Sequence, residues 1–233
     1  MAEQQRQRRA HILETARRLI AERGYEAVTV RDLAERCRVS VPTLYNQFGG
    51  KDKLLATAIE DHFSSLLATA RQPDAPEGLP RLVELIDRCA QHMLERDGYH
   101  RRLLAAFTSL DATAEIQQRL AERLAAALAA QLTTLRLQRR LAGWVDVGLL
   151  AGQITSACIG TAVIWSGGHL PGDRLLPGMR YAAGLVLLGA LRGAAARTLE
   201  AWLVEAQAAL AEAPALAEIA TTRRYAGNNH TGE

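Results

Sequence analysis

The sequence predicts an all-α protein with a small N-terminal domain and a larger C-terminal helical domain. Apolar residues recur three and four positions apart along most of the 233 residues, and no alternating run typical of a β-strand is present. Glycine and proline separate the periodic segments at Gly24, at 72–80 and at 167–171. With 48% hydrophobic and 23% charged residues, the chain has the composition of an ordinary globular protein with room for two cores.

The first two helices are predicted from their ends as well as from their apolar spacing. The first spans about 8–23, and Gly24 follows it as a terminator. Thr29 is a good N-cap residue, and Asp32 three positions later makes a short form of the capping box. The second helix therefore runs from about Val30 to Cys37.

A third, short helix follows a tight turn at Arg38 and Val39. Ser40 is placed to cap it by accepting a hydrogen bond from a backbone N–H, and the next residues include a proline where no N–H is needed. Only Leu44 and Phe48 form an apolar anchor within 41–48. The other residues point outward and carry groups that suit phosphates, base edges or thymine methyl groups: Val41, Pro42, Thr43, Tyr45, Asn46 and Gln47. The alternative is an ordinary amphipathic helix with a solvated polar face.

These motifs resemble those of the TetR family of bacterial one-component transcriptional regulators. The resemblance covers about 12–63 and is carried by a glycine after the first helix, then T-x-R-D-L-A, V-S-x-x-T-L-Y-x-x-F and K-x-x-L-L. It implies phosphate contacts from Thr29, Ser40, Thr43, Tyr45 and Lys51. It places Arg31, Val41, Pro42, Asn46 and Gln47 nearest the bases. Gln47 stands where histidine or tyrosine is usual, so the operator sequence stays open. Gly50 replaces a polar cap before Lys51, which weakens the start of the next helix without removing it, because glycine is an acceptable N-cap.

Positive charge is concentrated in the same region. Residues 1–53 carry eleven basic and seven acidic side chains, whereas the net charge of the whole chain is only +3. Arg6, Arg8 and Arg9 could form an arm that reaches a minor groove or the DNA backbone. A frayed, merely soluble terminus is the alternative for these three arginines.

The remaining helices are predicted from the helical spacing of apolar residues and from the residues that interrupt this spacing. A linking helix runs from the end of the N-terminal domain, 1–50, to about Ala70 and so connects it to the domain at 51–220. The further helices are expected at 79–97, stopped by Gly98; at 99–110; from Asp111 or Thr113 towards Arg140; at 146–167; and at 174–204, with a break near Gly193. Residues 221–233 have no periodicity and are predicted to be a disordered tail.

The uncharged stretch 147–167 is long enough to raise the question of a membrane span. Polar residues are distributed through it and no second such span exists, so a core helix of a homodimer is the better interpretation. Two glycine pairs four residues apart, Gly148 with Gly152 and Gly189 with Gly193, are expected to open helix faces for close approach at a subunit interface. By resemblance, 146–167 and 174–193 form a four-helix bundle with their twofold mates.

No catalytic or metal-binding motif is present in the sequence. A nucleophile with its base, a phosphate loop and a metal-ligand cluster are all missing, so we expect no enzyme activity, no cofactor and no metal. The three cysteines form no C-x-x-C pair, which favours a reducing cytoplasm, and the arginine-rich N-terminus lacks the apolar segment of a secretion signal.

The sequence is therefore interpreted as a cytoplasmic homodimeric repressor that binds a palindromic operator and is released by a small, apolar effector. Twofold symmetry predicts the palindrome, because two recognition helices must enter successive major grooves. Candidates for the effector pocket are His62, Phe63, Met93, Phe107, Trp144 and Trp165. The alternatives are a DNA-binding regulator without a small-molecule ligand and a helical enzyme with an incidental helix-turn-helix.

Overall fold

The structure, a computed structural model, describes residues 2–70, 76–109 and 113–211. Over these ranges the chain forms ten α-helices and no β-strand, which confirms the predicted all-α class. The helices are α1 (Ala2–Arg23), α2 (Val30–Cys37), α3 (Val41–Phe48), α4 (Lys51–Ala70), α5 (Leu79–Glu95), α6 (Asp97–Ser109), α7 (Ala114–Leu137), α8 (Val147–Ser166), α9 (Leu175–Leu188) and α10 (Ala194–Ala211).

The N-terminal helices pack around a small core that α4 completes. Ile12 and Leu19 of α1, Leu33 of α2, Leu44 of α3 and Leu54 of α4 are all almost completely buried. Helix α4 continues past this core and contacts α5, α6 and α7 as well as α1 and α3. The two domains are thus joined along one helix, and the predicted boundary after residue 50 stays a prediction.

The larger domain is a layered helical bundle in which α9 lies between α8 and α10. Helix α8 packs on α7 and α9, and α5 closes the bundle by contacting α9 and α7. A paired hydrogen bond fixes α9 to α5, because the Arg180 guanidinium donates to both carboxylate oxygens of Asp87 at 2.7 Å. Two backbone hydrogen bonds at 2.8 Å tie the loop after α7 to the loop after α9, through Ala142 to Ala190 and Arg192 to Arg140.

Several predicted helix ends differ from the structure. Helix α1 begins at Ala2, six residues before the predicted start, so Arg6, Arg8 and Arg9 lie within a helix, and their contact with DNA stays a prediction. An ion pair between Arg6 and Glu3 at 2.9 Å and the absence of glycine and proline from 2–9 allow the helix to extend there. Gly98 does not stop a helix either, because α5 ends at Glu95 and Gly98 lies in the first turn of α6.

The other boundaries follow the predictions more closely. Helix α7 ends at Leu137, three residues before Arg140, because Arg139 adopts a left-handed conformation with φ of 57°. Gly193, with φ of 62°, lies in the predicted break between α9 and α10. Thr113 precedes α7 without capping it through its side chain. Asp111, residues 71–75 and the predicted tail at 221–233 lie outside the described residues.

One helix among the described residues, α8, is long and apolar enough to cross a membrane by length and composition. A third of its most apolar window is buried within the chain, against α7 and α9. The rest of that helix faces outward and must be covered by something other than this subunit if water is to be excluded from it.

The contact between α9 and α10 leaves no room for a side chain at Gly184. A Cβ atom there would lie 2.6 Å from Leu203 Cδ2 and 3.1 Å from Leu203 Cγ. We expect Gly184→Ala to lower the free energy of unfolding by about 1–3 kcal/mol, because Leu203 is buried and must leave its position.

The matched control for this prediction is Gly98→Ala, in α6, where no described atom lies within 4 Å of the added Cβ. Chemical denaturation should show the control as stable as the parent protein or up to about 1 kcal/mol more stable, because alanine favours a helix over glycine. Equal stability of the two variants would contradict the tight contact between α9 and α10.

Candidate nucleic-acid interface and cavity

The start of α2 is fixed by the predicted capping box. The Asp32 N–H donates to Thr29 Oγ1, and the Thr29 N–H donates to Asp32 Oδ2, both at 3.1 Å. Hydrogen bonds from the side chain and the backbone of Thr29 lower the pKa of Asp32 below its usual value. Thr29 and Arg31 remain exposed beside this cap, as an interface for an extended ligand requires.

The turn from α2 to α3 is set by a left-handed residue and a second cap. Arg38 has φ of 53° and ψ of 46°, and its N–H donates to carbonyl groups of the last turn of α2. Ser40 Oγ accepts a hydrogen bond from the Thr43 N–H at 3.3 Å, as predicted, and lies 2.8 Å from Thr43 Oγ1. Pro42 occupies the first turn of α3. Local chemistry alone therefore fixes the angle between the two helices.

The outward face of α3 carries most of the predicted contact residues. Pro42, Tyr45 and Asn46 are exposed, with half of the Tyr45 surface accessible, while Val41 packs partly against the core and Thr43 is half-buried. Leu44 and Phe48 are buried beneath this face, as predicted. The helix is therefore held by two apolar residues and presents a hydroxyl and an amide group to its surroundings.

Gln47 departs from the prediction that it points outward. It is half-buried, and its Oε1 atom is buried with no hydrogen-bond partner among the described residues. Gln47 directly precedes the buried Phe48, so it lies at the edge of the exposed face and not at its centre. A buried carbonyl oxygen without a donor costs about 1–3 kcal/mol, which favours movement of this side chain when a ligand with donors approaches.

Lys51 is positioned by an aromatic residue that the sequence interpretation missed. The Lys51 Nζ atom lies 4.7 Å from the centre of the Tyr25 ring and donates to the Glu26 carbonyl oxygen at 3.4 Å. The Tyr25 hydroxyl donates to Asp52 Oδ1 at 2.5 Å, and burial raises the pKa of Tyr25 well above its ordinary value. The ammonium group is thus held beside the N-terminus of α4, next to α3.

An arginine from α1 also reaches the end of α3. The Arg9 guanidinium carbon lies 4.7 Å from the centre of the Phe48 ring, so α1 and α3 meet at this point. Arg6 lies one helical turn before Arg9 on the same side of α1, and both side chains are exposed. Arg9 of α1 and Lys51 at the start of α4 therefore form a basic face at the end of α3, which carries no basic side chain itself.

Two arginines connect this N-terminal unit to the rest of the chain. Arg17 of α1 donates to the Ala58 carbonyl oxygen at 3.2 Å and to Asp61 Oδ2 at 2.7 Å, both on α4. Arg102 of α6 donates to the carbonyl oxygens of Ala21 and Glu22 at 2.5 and 2.8 Å, in the last turn of α1. A cation at the C-terminal end of a helix interacts favourably with the helix dipole. Helix α6 is thus attached to α1 directly.

The larger domain contains a partly open cavity of about 430 Å³ between its helices. This volume lies within the range of about 300–1,000 Å³ that is usual for small-molecule sites. The lining comes from α4 through α9: Phe63, Ile86, Cys89, Met93, Leu104, Phe107, Thr108, Ala114, Gln117, Gln118, Leu120, Ala121, Leu124, Leu128, Cys158, Ile159, Ala162 and Met179. None of these side chains carries a charge.

Three of the six predicted pocket residues line this cavity, and three do not. Phe63, Met93 and Phe107 are part of the wall, and the rings of the two phenylalanines lie 5.1 Å apart. Trp144 is 76% exposed in the turn before α8. Trp165 is completely buried, with the Arg101 guanidinium 4.6 Å from its ring centre, and serves as a core residue. The prediction was therefore wrong for both tryptophans.

His62 is adjacent to the cavity but belongs to a separate cluster of rings. Its ring centre lies 5.0 Å from that of His100, 5.6 Å from Tyr99 and 6.4 Å from His92. Burial, followed by the charges of neighbouring groups, lowers the pKa of His62 to about 3, so the ring is neutral near pH 7. Consecutive residues of a helix point in different directions, which explains why Phe63 reaches the cavity and His62 does not.

Comparison with known proteins supports the N-terminal resemblance and the whole fold. Residues 12–58 match the profile described as bacterial regulatory proteins, tetR family. The HTH-type transcriptional repressor KstR of Rhodococcus jostii is 32% identical over 110 residues, which cover 47% of this chain and 52% of that protein. KstR of Mycolicibacterium smegmatis is 33% identical over 115 residues, covering 48% of this chain and 56% of that protein. The segment 12–58 is therefore a TetR-type DNA-binding region.

Solved TetR-family structures share the architecture over most of the chain. FadR of Thermus thermophilus, a repressor in complex with lauroyl-CoA, has a TM-score of 0.63 and 21% identity over 79% of this chain and 96% of that chain. FadR of Bacillus halodurans, a fatty acid degradation regulator, has a TM-score of 0.62 and 18% identity over 78% of this chain and 98% of that one. The match to the curated KstR proteins, in contrast, spans about half of their length.

The two glycine pairs predicted for a TetR-type dimer interface lie in different kinds of position in the structure. Gly148 and Gly152 lie on the outward side of α8, and no described atom lies within 4 Å of a Cβ built at Gly152. Gly189 is the C-cap of α9, whereas Gly193 lies in the following loop. The second pair therefore does not share a helix face, because the chain turns between its members.

Besides the predicted Met93, the cavity contains residues that the sequence interpretation did not single out. Two of the three cysteines, Cys89 and Cys158, and a second methionine, Met179, line the same space. All three cysteines are free thiols. Burial raises the pKa values of Cys89 and Cys158 to about 12, so both are neutral. Periodicity predicts that these residues are buried, but only the packing of distant helices brings them together.

The exposed face of α3 generates a prediction about the two kinds of DNA contact. Tyr45→Phe should weaken binding to operator and random duplex alike, by about 0.5–1.5 kcal/mol, because a phosphate contact carries little sequence information. Asn46→Ala should instead change which operator is preferred, with roughly 1–3 kcal/mol of base discrimination at stake.

Binding of each variant to a selected operator and to a scrambled duplex, at one fixed salt concentration, measures both effects. Gln47→Ala tests whether the half-buried amide turns towards the bases, in which case it also changes the preferred sequence. A change of sequence preference caused by Tyr45→Phe alone would reverse the roles assigned to these residues.

Proposed function

We propose that this TetR-family chain is a transcriptional repressor that binds a palindromic operator as a homodimer and is released by a small, hydrocarbon-rich effector. The observation that carries this proposal is α4, which starts beside the basic face with Lys51 and contributes Phe63 to the wall of the cavity. Both sites lie on one continuous helix. The curated KstR relatives are repressors, which supports repression and not activation of transcription.

The contact with DNA is assigned to α3 and its neighbours. Exposed hydroxyl and amide groups on α3 suit phosphates and base edges in a major groove. Phosphate contacts are assigned to Thr29, Ser40, Thr43, Tyr45 and Lys51, and base contacts to Arg31, Val41, Pro42, Asn46 and Gln47. Selection of bound fragments from random DNA by the purified protein tests this assignment and identifies the operator. A set of fragments without any common sequence would overturn operator-specific repression.

The homodimer is assigned to the outward face of α8, with a contribution from α9. Leu149, Ile159, Val163 and Ile164 of α8 are exposed on this face, and Leu185 is exposed on α9. Gly152 and Gly160 on the same side leave open space, which suits the close approach of a second helix. A twofold mate would cover this apolar area without any membrane.

Twofold symmetry links the dimer to the operator. The two recognition helices must enter successive major grooves about 34–36 Å apart, so the operator is a palindrome whose half-sites share this spacing. Any change in the angle between the N-terminal units alters the distance between the helices. A duplex of fixed pitch then fits only one of the two states.

The effector is assigned to the cavity, and its signal reaches α3 by two routes. Phe63 of α4 is one route, because α4 also packs against α1 and α3. Phe107 of α6 is the other, because Arg102 on the same helix holds the last turn of α1. The neighbouring FadR of Thermus thermophilus binds lauroyl-CoA, which supports a ligand rich in hydrocarbon.

The proposed interface predicts the effect of a large side chain at Gly152. Gly152→Leu should fold normally, since no described atom lies near the added Cβ, but should push the twofold mates apart and weaken the dimer. Palindrome binding should then fall far more than half-site binding. Gly98→Leu, at an exposed and equally open position in α6, is the control. An intact dimer of Gly152→Leu at micromolar concentration, observed by sedimentation, would count against this interface.

The proposed transmission predicts negative coupling between effector and operator. Linkage requires that operator DNA weaken effector binding by the same factor as effector weakens DNA binding, with a typical coupling of about 1–3 kcal/mol. Arg102→Ala removes the contact of α6 with α1 and should reduce this coupling by about 0.5–2 kcal/mol while leaving the effector affinity of the DNA-free protein unchanged.

Titration of an effector with and without operator duplex measures the coupling in each variant. Arg197→Ala, an exposed arginine on α10, is the control and should behave like the parent protein. Equal effector affinity in both titrations of the parent protein would favour a DNA-binding regulator without small-molecule control. Unchanged coupling in Arg102→Ala would leave α4 as the sole route.

A further inference from the structure

The cavity offers a ligand very few polar groups, and the chemistry of those groups limits which ligands fit. Among the described residues that line it, the strongly polar side chains are Thr108, Gln117 and Gln118. The rest of the wall is hydrocarbon, aromatic ring or sulfur. A charged group inside would lose its water shell without gaining a counter-ion, which is costly.

Gln117 is held in one orientation by a closed set of hydrogen bonds. Its Nε2 atom donates to the Phe107 carbonyl oxygen at 2.7 Å and to Thr113 Oγ1 at 3.0 Å. The Thr113 hydroxyl in turn donates to the Phe107 carbonyl oxygen at 2.5 Å. The carbonyl oxygen of Phe107 can only accept, so the amide nitrogen and not the amide oxygen must lie next to it.

This arrangement leaves the amide oxygen of Gln117 as the polar atom of this side chain that faces no protein partner. The amide nitrogen lies within hydrogen-bond distance of two protein acceptors, so the Oε1 atom is the group that remains for a ligand. The hydroxyl proton of Thr108 is also used, since it is donated to the Leu104 carbonyl oxygen at 3.0 Å. Gln118 donates to Glu122 Oε1 at 2.9 Å. Gln118 is exposed and keeps a second amide N–H, whereas Gln117 and Thr108 direct their donors at protein carbonyl groups and leave oxygen atoms as acceptors.

We propose that Gln117 makes the cavity selective for an uncharged, hydrocarbon-rich molecule that carries a hydroxyl group, and selects against the matching ketone and carboxylate. The hydroxyl donates to Gln117 Oε1 while the hydrocarbon part fills the space between Phe63, Phe107 and Met179. A ketone has no proton to donate, and a carboxylate brings a second acceptor and a charge. This inference rests on the effector cavity proposed above and names the class of its ligand.

Calorimetric titration of the DNA-free protein with decan-1-ol, decan-2-one and decanoate tests the selectivity. For the parent protein we expect decan-1-ol to bind roughly three- to tenfold more tightly than decan-2-one, which corresponds to one net hydrogen bond. Decanoate should bind at least roughly tenfold more weakly than the alcohol. Equal or tighter binding of the ketone or the carboxylate, or binding of none of the three, would overturn the proposal.

Variants at Gln117 test which residue is responsible. Gln117→Leu should bring decan-1-ol to the affinity of decan-2-one while changing the ketone affinity little. Gln117→Met, with an unbranched side chain of similar length, serves if the leucine variant does not fold, as judged from its thermal unfolding. Gln91→Leu, an exposed glutamine on α5 outside the cavity wall, is the matched control and should keep the preference for the alcohol. A preference that survives in the folded Gln117 variants would overturn the role of this residue.

The result is independent of whether the protein is a ligand-released repressor. Selectivity is measured without DNA, whereas release is measured by titrating an operator complex. A protein that prefers decan-1-ol through Gln117 but keeps its operator at saturating alcohol would retain this inference and contradict the proposed function. Release of the operator by a compound of another class, without selectivity for the alcohol, would retain the proposed function and contradict this inference.

Discussion

The structure depends on the burial of one helix in two places. Leu54, Leu55 and Ile59 of α4 are almost completely buried in the N-terminal core, and Phe63, one turn later, lies against Phe107 beside the cavity. A helix is stiff over this length because every internal backbone group is hydrogen-bonded within it. Movement of its cavity end therefore displaces its other end, unless one of the two cores is disrupted.

The polar contacts around α4 fix the positions of the helices that pack against it. Arg17 ties α1 to α4, Arg102 ties α6 to α1, and Arg119 on α7 pairs with Glu60 on α4 at 3.0 Å. The Arg119–Glu60 pair is exposed, and exposed ion pairs contribute little to stability. The effect of the three contacts is geometric, because they fix the N-terminal unit against three helices that line the cavity or lie next to it. A ligand that changes the spacing of these helices thus changes the position of α3.

The sequence predicted the parts of the fold that local chemistry decides. The caps at Thr29 and Ser40, the proline in the first turn of α3 and the break at Gly193 each depend on residues within a few positions, and the structure confirms them. The start of α1 was wrong because helix propensity extends through 2–9 in the absence of any breaker. The prediction that Gly98 ends a helix was wrong, because an exposed glycine destabilises a helix by only about 1 kcal/mol.

The cavity could be predicted only in part, because its walls come from distant segments. Phe63, Met93 and Phe107 were found as apolar residues of the right helices, but the same reasoning also selected Trp144 and Trp165, which lie elsewhere. Gln117 was missed because an isolated glutamine on a long helix gives no signal in the sequence. Its role depends on the Phe107 carbonyl oxygen and on Thr113, which come together only when α6 and α7 pack.

The distance between the two N-terminal units of the dimer tests the central claim most directly. A nitroxide attached at Glu35→Cys on the exposed side of α2, with the three native cysteines replaced by alanine, reports this distance by double electron–electron resonance. The account predicts one narrow distance for the operator complex and a clearly different mean for the protein saturated with decan-1-ol. Identical distance distributions in the two states would contradict transmission through α4.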